Sequence, residues 1–218
     1  LMDAIKDNWE SAESMYIRKL VLNVPKFGND EDEVDDLVKD VFNSYLELLP
    51  HYKTLRTGKG PEISCYTMST SNITSYVPNG FDVGATPDGR LAGSPLNEGC
   101  SPTQSTDTHG PTAVINSVSK LPNDKVAAGQ LLNMRFAPGA LAGDENLDKF
   151  VAFLKASLLK GIYHNQFNVL SSETLREAQK DPNNYRDLIV RVAGYCAQFV
   201  SLMPEAQEAI IARTENEL

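Results

Sequence analysis

The sequence predicts an α/β fold. Amphipathic helical stretches alternate with short β-rich ones, the order that lays helices over a largely parallel sheet. The composition, 41% apolar and 22% charged over 218 residues, is that of a globular body with material for one large domain or two small ones. The strand-like segments are too few and too dispersed to close a sheet of their own, so this is expected to be part of a larger α/β assembly.

Ile5, Trp9, Ala12 and Tyr16 recur at helical spacing and predict a first helix. The chain starts inside that pattern with no capping residue ahead of it. A longer polypeptide upstream is therefore expected, the alternative being a lost initiator Met and a frayed first turn. Pro25 and Gly28 close this helix, and Asn29 and Asp30 can cap the next. Glu31, Asp32 and Glu33 then fall in a first turn, where the helix dipole favours negative charge. Val34, Leu37, Val38, Val41, Phe42, Tyr45, Leu46 and Leu49 form its apolar stripe, which ends before Pro50. The acidic run lacks the Gly that a calcium loop needs at its sixth position, so capping is its expected role.

Alternating β-branched and aromatic residues predict a strand over 62–70, after Gly60 and Pro61. Asn72-Ile73-Thr74 matches a glycosylation acceptor, a chance match in a chain that opens with no secretory signal. Residues 78–111 hold six glycines and five prolines and almost no periodicity. So long an irregular stretch, with apolar residues and turn dipeptides such as Asp88-Gly89, predicts a structured loop laid on a larger body. A short helix follows over 112–121 with Pro111 near its first turn, then a strand over 130–136. Leu147, Phe150, Val151, Leu154 and Leu158 mark another helix, stopped by Gly161. A strand over 166–170 precedes a helix that Ser172 can cap, with Leu175 and Ala178 inside it and Pro182 beyond. The β-rich run 189–193 leads into Gly194, and Pro204 starts a last helix with Ala206, Ile210 and Ile211 facing inward.

Charge and cysteine usage narrow the function. Twenty Lys plus Arg against 29 Asp plus Glu give a net charge of −9, a poor footprint for nucleic acid. No apolar run approaches the roughly 18–20 residues of a membrane helix. Cys65, Cys100 and Cys196 are odd in number and widely spaced, which argues against a disulfide framework and for a cytoplasmic setting. Dinucleotide, P-loop, zinc-protease and nucleophile-elbow signatures are absent. His51, His109 and His164 show no paired-ligand spacing, so each is expected to hydrogen-bond or to lie at the surface. Cys100 has no basic residue beside it in sequence and is expected to be a small buried loop residue. In Arg191-Val192-Ala193-Gly194-Tyr195-Cys196-Ala197, spacing alone asks only for a glycine that turns the chain at a strand end.

That segment resembles the C-terminal signature of the glycyl radical enzymes, the family that includes pyruvate formate-lyase, with Gly194 at the radical position. The resemblance extends over about residues 1–215. Pro25-Lys26-Phe27-Gly28-Asn29-Asp30, Gly84-Ala85-Thr86-Pro87-Asp88-Gly89-Arg90, Ser101-Pro102 with Asp107, Gly110, Pro111, Thr112 and Ala113, His164-Asn165-Gln166-Phe167-Asn168-Val169, and Ile210-Ile211-Ala212-Arg213-Thr214 all match family segments. They are most similar to the dehydratase, decarboxylase and carbon–nitrogen lyase branches. Two departures stand out. Cys196 occupies a position where this branch more often has Ser. The Gly-Cys loop of the thiyl cysteine, followed two residues later by a catalytic Glu, is missing; Gly99-Cys100 imitates half of it but continues Ser101-Pro102, so Cys100 takes no thiyl role.

The chemistry suits glycine. A radical on an α-carbon is delocalised between an amide nitrogen and a carbonyl only if the centre flattens, and a Cβ would crowd that flattening. Such a radical must be shielded from water and oxygen on a rigid scaffold, and Val190, Val192 and Phe199 suit the packing of its loop. The loop must also open locally to be activated.

The resemblance implies the rest. The fold would be the C-terminal portion of a ten-stranded α/β barrel, with 1–125 belonging to the barrel and 126–218 forming a glycine radical domain. An activating enzyme carrying an iron–sulfur cluster and using S-adenosylmethionine would install the radical at Gly194, with no permanently bound cofactor. Gly194 would pass the radical to a thiyl cysteine in an upstream part of the enzyme, a homodimeric anaerobic lyase acting on a small molecule. A diol, an aryl acetate, choline or a sulfonate all fit as substrate. Met68 and Thr70, alternate residues of the 62–70 strand, would face it. A spare glycyl radical subunit and a non-catalytic interaction module are the alternatives. Made alone, the chain is expected to be poorly soluble or altered in fold, because its glycine-rich loop would lose the surface it packs on.

Overall fold

Leu131–Phe136 is buried along its whole length and forms β1, the middle strand of the sheet, in a computed structural model describing residues 1–53, 68–70 and 74–217. On one edge β2 (His164–Val169) pairs with it in parallel, from Leu131 opposite His164 to Phe136 opposite Val169. On the other edge β5 (Glu215–Asn216) is also parallel. Parallel neighbours need a crossover, and α6 (Asp144–Leu159) supplies it between β1 and β2. The side-chain period of two then divides the sheet. Leu132, Met134 and Phe136 enter an apolar core with Phe167, Phe153 and Ile162, joined by Val114, Ile115 and Val118 of α5 (Pro111–Ser119). The Phe136 ring meets Phe150, Phe153 and Phe167 edge-on at centroid distances of 5.5, 5.7 and 5.7 Å. The opposite face carries Asn133, Arg135, His164, Gln166 and Asn168.

A second core lies beyond that polar face. It joins Leu175 and Ala178 of α7 (Ser172–Lys180), Val190 of β3 (Ile189–Arg191), Val192, Phe199, and Ile210 of α8 (Pro204–Ile211). β3 pairs antiparallel with β4 (Cys196–Gln198). The inward Ala206, Ile210 and Ile211, and the buried Val190, Val192 and Phe199, agree with the sequence reading. Tyr76 and Val77 of α4 (Tyr76–Phe81) pack on Ala206 and Ala209.

Several expectations need correction. The first helix is two, α1 (Met2–Lys6) and α2 (Ala12–Leu22), parted at Asn8 and Trp9 with φ of 51° and 64°. The buried Trp9 indole donates to the Arg90 carbonyl at 3.1 Å and Asn8 accepts from Ala92 N–H, so docking on the long loop outweighs helical continuity. Ser11 caps α2. Asn29 and Asp30 do not cap α3 (Asp32–Leu46), whose N-cap is Glu31. The Asn29 side chain instead accepts from Thr108 and His109 N–H and donates to the carbonyls of Lys26 and Thr106. The acidic run also surrounds one cation: Lys120 lies 2.7–2.8 Å from Asp30, Asp32 and the fully buried Asp35. Its hydrogen bond holds the Asp30 carboxyl below its ordinary range. The α3 stripe is wider than its contact within the chain, because Val38 and Phe42 pack inward while Leu37 and Val41 are 66% and 63% exposed. Helix α7 is capped by Ser171, one residue before the expected Ser172.

The 78–111 stretch begins inside α4 and is irregular beyond it. Its order comes from Arg90, whose guanidinium donates to the carbonyls of Gly80, Gly84 and Ser94. Most of the strand expected over 62–70, Cys65, and Asn72 and Ile73 of the glycosylation match lie outside the described residues. Among the described residues no helix is long and apolar enough to cross a membrane.

Candidate functional site

The hairpin of β3 and β4 has a two-residue tip. Arg191 pairs with Cys196, and Val192 N–H donates to the Tyr195 carbonyl at 2.9 Å, which leaves Ala193 and Gly194 to turn the chain. Gly194 has φ +78°, a left-handed value that residues with a Cβ adopt only at a cost. Val192 and Ala193 are fully buried, whereas Gly194 itself is exposed. The burial expected of the loop is thus met by its entry strand, not at the glycine within this chain.

The polar face of the sheet holds the hairpin through two alternate side chains of β2, Asn168 and Gln166, with His164 bonded behind Gln166. Asn168 bonds both backbone groups of Arg191, accepting from its N–H at 2.7 Å and donating to its carbonyl at 2.8 Å. Gln166 Oε1 accepts from Gly194 N–H at 3.1 Å and from Arg191 Nε at 2.8 Å. Gln166 Nε2 lies 2.7 Å from His164 Nε2. Burial lowers the His164 pKa, and the Arg191 charge lowers it further.

A second clamp comes from the segment after α8. Arg213 donates to the carbonyls of Arg191 and Val192 at 3.1 and 2.7 Å and pairs with the buried Glu98. Burial pushes the Glu98 carboxyl up to about 7, with Arg213 opposing the shift. Tyr76 stands nearby, and its phenol is pushed up to about 12 by burial and then by the Glu98 charge. At the end of β1, the guanidinium of Arg135 bonds Glu215, Ser172 and the carbonyls of Ile211 and Arg213, and so ties the chain that carries Arg213 to the sheet.

Of the three cysteines, Cys100 is buried, its Sγ 3.1 Å from the Leu131 carbonyl and its thiol pushed up to about 12 by burial. Gly99 lets this loop lie on β1, since a Cβ there would stand 2.2 Å from the Leu131 oxygen. That is the small buried residue the sequence leads one to expect. Cys196 is exposed, with its Sγ 3.4 Å from the Arg191 guanidinium. Met68 and Thr70 are half-buried. They run beside the approach to β1: Met68 O accepts from Ala128 N–H, and the Thr70 hydroxyl accepts from Leu131 N–H. No hydrogen bond joins either of them to the hairpin among the described residues. His109 bonds the Asn29 carbonyl and His51 is exposed. Among the described residues no three His, Cys, Asp or Glu side chains group to hold a metal ion.

Reading the residues singly missed Gln166, Asn168, Arg213 and Glu98 as parts of this site. The alternation of polar His164, Gln166 and Asn168 along a strand was the available signal for two of them.

Comparison with known proteins places this geometry in context. The Glycine radical family model matches residues 96–200 and the Pyruvate formate lyase-like model residues 1–80. A probable dehydratase, YbiW, of Escherichia coli (strain K12) is 44% identical over 100% of this chain and 27% of its own length. The trans-4-hydroxy-L-proline dehydratase of Clostridioides difficile is 40% identical over 99% of this chain and 26% of its own. The solved B12-independent glycerol dehydratase of Clostridium butyricum superposes with a TM-score of 0.89 at 40% identity, over 99% of this chain and 26% of that one. The chain thus spans about a quarter of the length of the relatives it matches.

Proposed function

Because this chain belongs to the glycyl radical enzymes, we propose that it is the radical-storing part of a longer anaerobic lyase and that Gly194 holds the unpaired electron. The observation that carries the reading is Gly194 at the tip of a hairpin whose strands are held on both sides by buried polar side chains. An α-carbon there has peptide planes on either side of it, no Cβ, and an N–H fixed by Gln166. A radical there calls for cover from the rest of the polypeptide once it is formed.

The chemistry is one hydrogen atom at a time. An activating enzyme of the radical S-adenosylmethionine class, carrying an iron–sulfur cluster, takes a hydrogen atom from the Gly194 Cα. The Gly194 radical then takes a hydrogen atom from a cysteine thiol elsewhere in the enzyme, and the thiyl radical abstracts hydrogen from a small-molecule substrate. Val192, Ala193 and the Arg213 clamp keep the tip in one place between these steps. On this reading the sheet is the last part of a ten-stranded barrel, 126–218 is the radical domain, and the assembly is a cytoplasmic homodimer. Met68 and Thr70, beside β1, line the substrate side.

The test is electron paramagnetic resonance of the full-length enzyme after anaerobic activation. A glycyl doublet in the wild type and none in Gly194→Ala is the expected result. A doublet that survives the substitution overturns the assignment.

A further inference from the structure

We infer that Gln166 is the positioning residue for Gly194 and that its hold on the hairpin tip requires a neutral His164. The functional meaning rests on the proposed role of Gly194; the geometry does not.

The argument begins with donors and acceptors. Gln166 Oε1 faces two N–H groups, those of Gly194 and Arg191 Nε, at 3.1 and 2.8 Å. Neither can accept a hydrogen bond, so the amide must present its oxygen on that side, and both lone pairs are used. The Gln166 NH2 group is thereby directed at His164 Nε2, 2.7 Å away. Nε2 must accept, which makes His164 neutral with its proton on Nδ1. One side-chain amide therefore couples the charge of a histidine to the backbone N–H of the glycine.

Protonation of His164 breaks that arrangement. Nε2–H would then face the Gln166 NH2 group, donor against donor. Turning the amide over satisfies His164 but sets the NH2 group against both Gly194 N–H and Arg191 Nε–H. Gln166 is buried, so its own amide has little water to turn to when it is left facing donors. The relief is to release the tip. By linkage, a held tip depresses the His164 pKa, so release gains up to about tenfold for each pH unit below the ordinary value of about 6.5.

The surroundings leave few other groups to answer. Among the described residues, the charged side chains beside the hairpin are the guanidiniums of Arg191 from β3 and Arg213 from the segment after α8. The loop before β1 meets His164 through Gly129, where a Cβ would stand 3.6 Å from Nδ1. Cys196 touches the far side of Arg191. Glu98 also titrates near neutrality and acts on the hairpin through Arg213, so it needs its own control.

The experiment is hydrogen–deuterium exchange of the full-length protein at pH 7.5 and 5.5, resolved to the Gly194 amide and corrected for the intrinsic rate. Exchange at Gly194 is expected to rise up to about tenfold at the lower pH, while the amides paired between β3 and β4 keep their protection. His164→Asn, which offers an acceptor that does not titrate, should remove the pH response. Gln166→Glu, which accepts from both donors at either pH, should keep Gly194 protected at pH 5.5. Gln166→Ala should leave Gly194 unprotected at both. A pH-independent Gly194 amide in the wild type overturns the inference, as does a response that survives His164→Asn and disappears in Glu98→Gln. A missing glycyl doublet alongside the expected exchange pattern would remove the radical role and leave the latch standing.

Discussion

The two faces of the β1–β2 sheet are made by the same two strands and do opposite work. On one face Leu132, Met134, Phe136 and Phe167 meet α5 and α6 in a core closed by edge-on phenylalanine rings. On the other, Gln166 and Asn168 spend their polar atoms on the backbone of a neighbouring hairpin. Burial of apolar area is non-directional, so the first face supplies stability and tolerates changes of shape. Hydrogen bonds are directional and costly to leave unmade, so the second face supplies position. A radical site needs both: a floor that does not move and a tip whose place is fixed atom by atom.

Breaking each side separately sharpens that contrast. The largest effect on function is expected at the tip: Gly194→Ala should remove the glycyl signal entirely. Its cost in stability should be only about 1 kcal/mol, the penalty for a Cβ at a left-handed φ. The largest effect on stability is expected on the apolar face. Phe136→Ala should lower the unfolding free energy by about 3–5 kcal/mol in urea, and a loss under 1 kcal/mol would show that the rings do not act as one core.

Glu98 acts on the hairpin side through Arg213 and should respond to pH. Burial raises its pKa to about 7 in the folded state, above the value of about 4.3 expected in the unfolded chain. Between these values the folded protein binds the extra proton, so the Glu98 contribution to stability falls as pH rises from about 4.3 to 7 and levels off above. Urea midpoints measured across that range should show the fall, and Glu98→Gln should flatten it. The smallest effect belongs to the periphery. Ser171→Ala, which removes the cap of α7, should cost about 1 kcal/mol by the same measurement.

Local patterns made much of this legible in advance. The stripe through Leu147, Phe150, Val151, Leu154 and Leu158 marks α6, and the stops at Gly161 and Pro182 and the start at Pro204 bound the elements beside them. These signals work because a helix or strand is specified by its own residues. Trp9 shows where that fails: its helical spacing is real, yet an indole buried against Arg90, 81 residues away, breaks the helix. Asn29 is a good cap by type, but five hydrogen bonds to two loops claim its side chain first. Gly194 was visible through its motif, while Gln166 and Arg213 acquired meaning only when distant segments met.

What the sequence determined by itself is therefore most of the longer elements and the identity of the turning glycine, both local properties of a short stretch of chain. Tertiary structure alone decided what holds that glycine. Gln166 of β2 bonds it directly, while Asn168 of β2 and one arginine beyond α8 hold the strand that leads into it, because parallel pairing puts β2, β1 and β5 side by side. Directional bonds between side chains far apart in sequence exist only after that pairing has formed, and no pattern within a single segment encodes them.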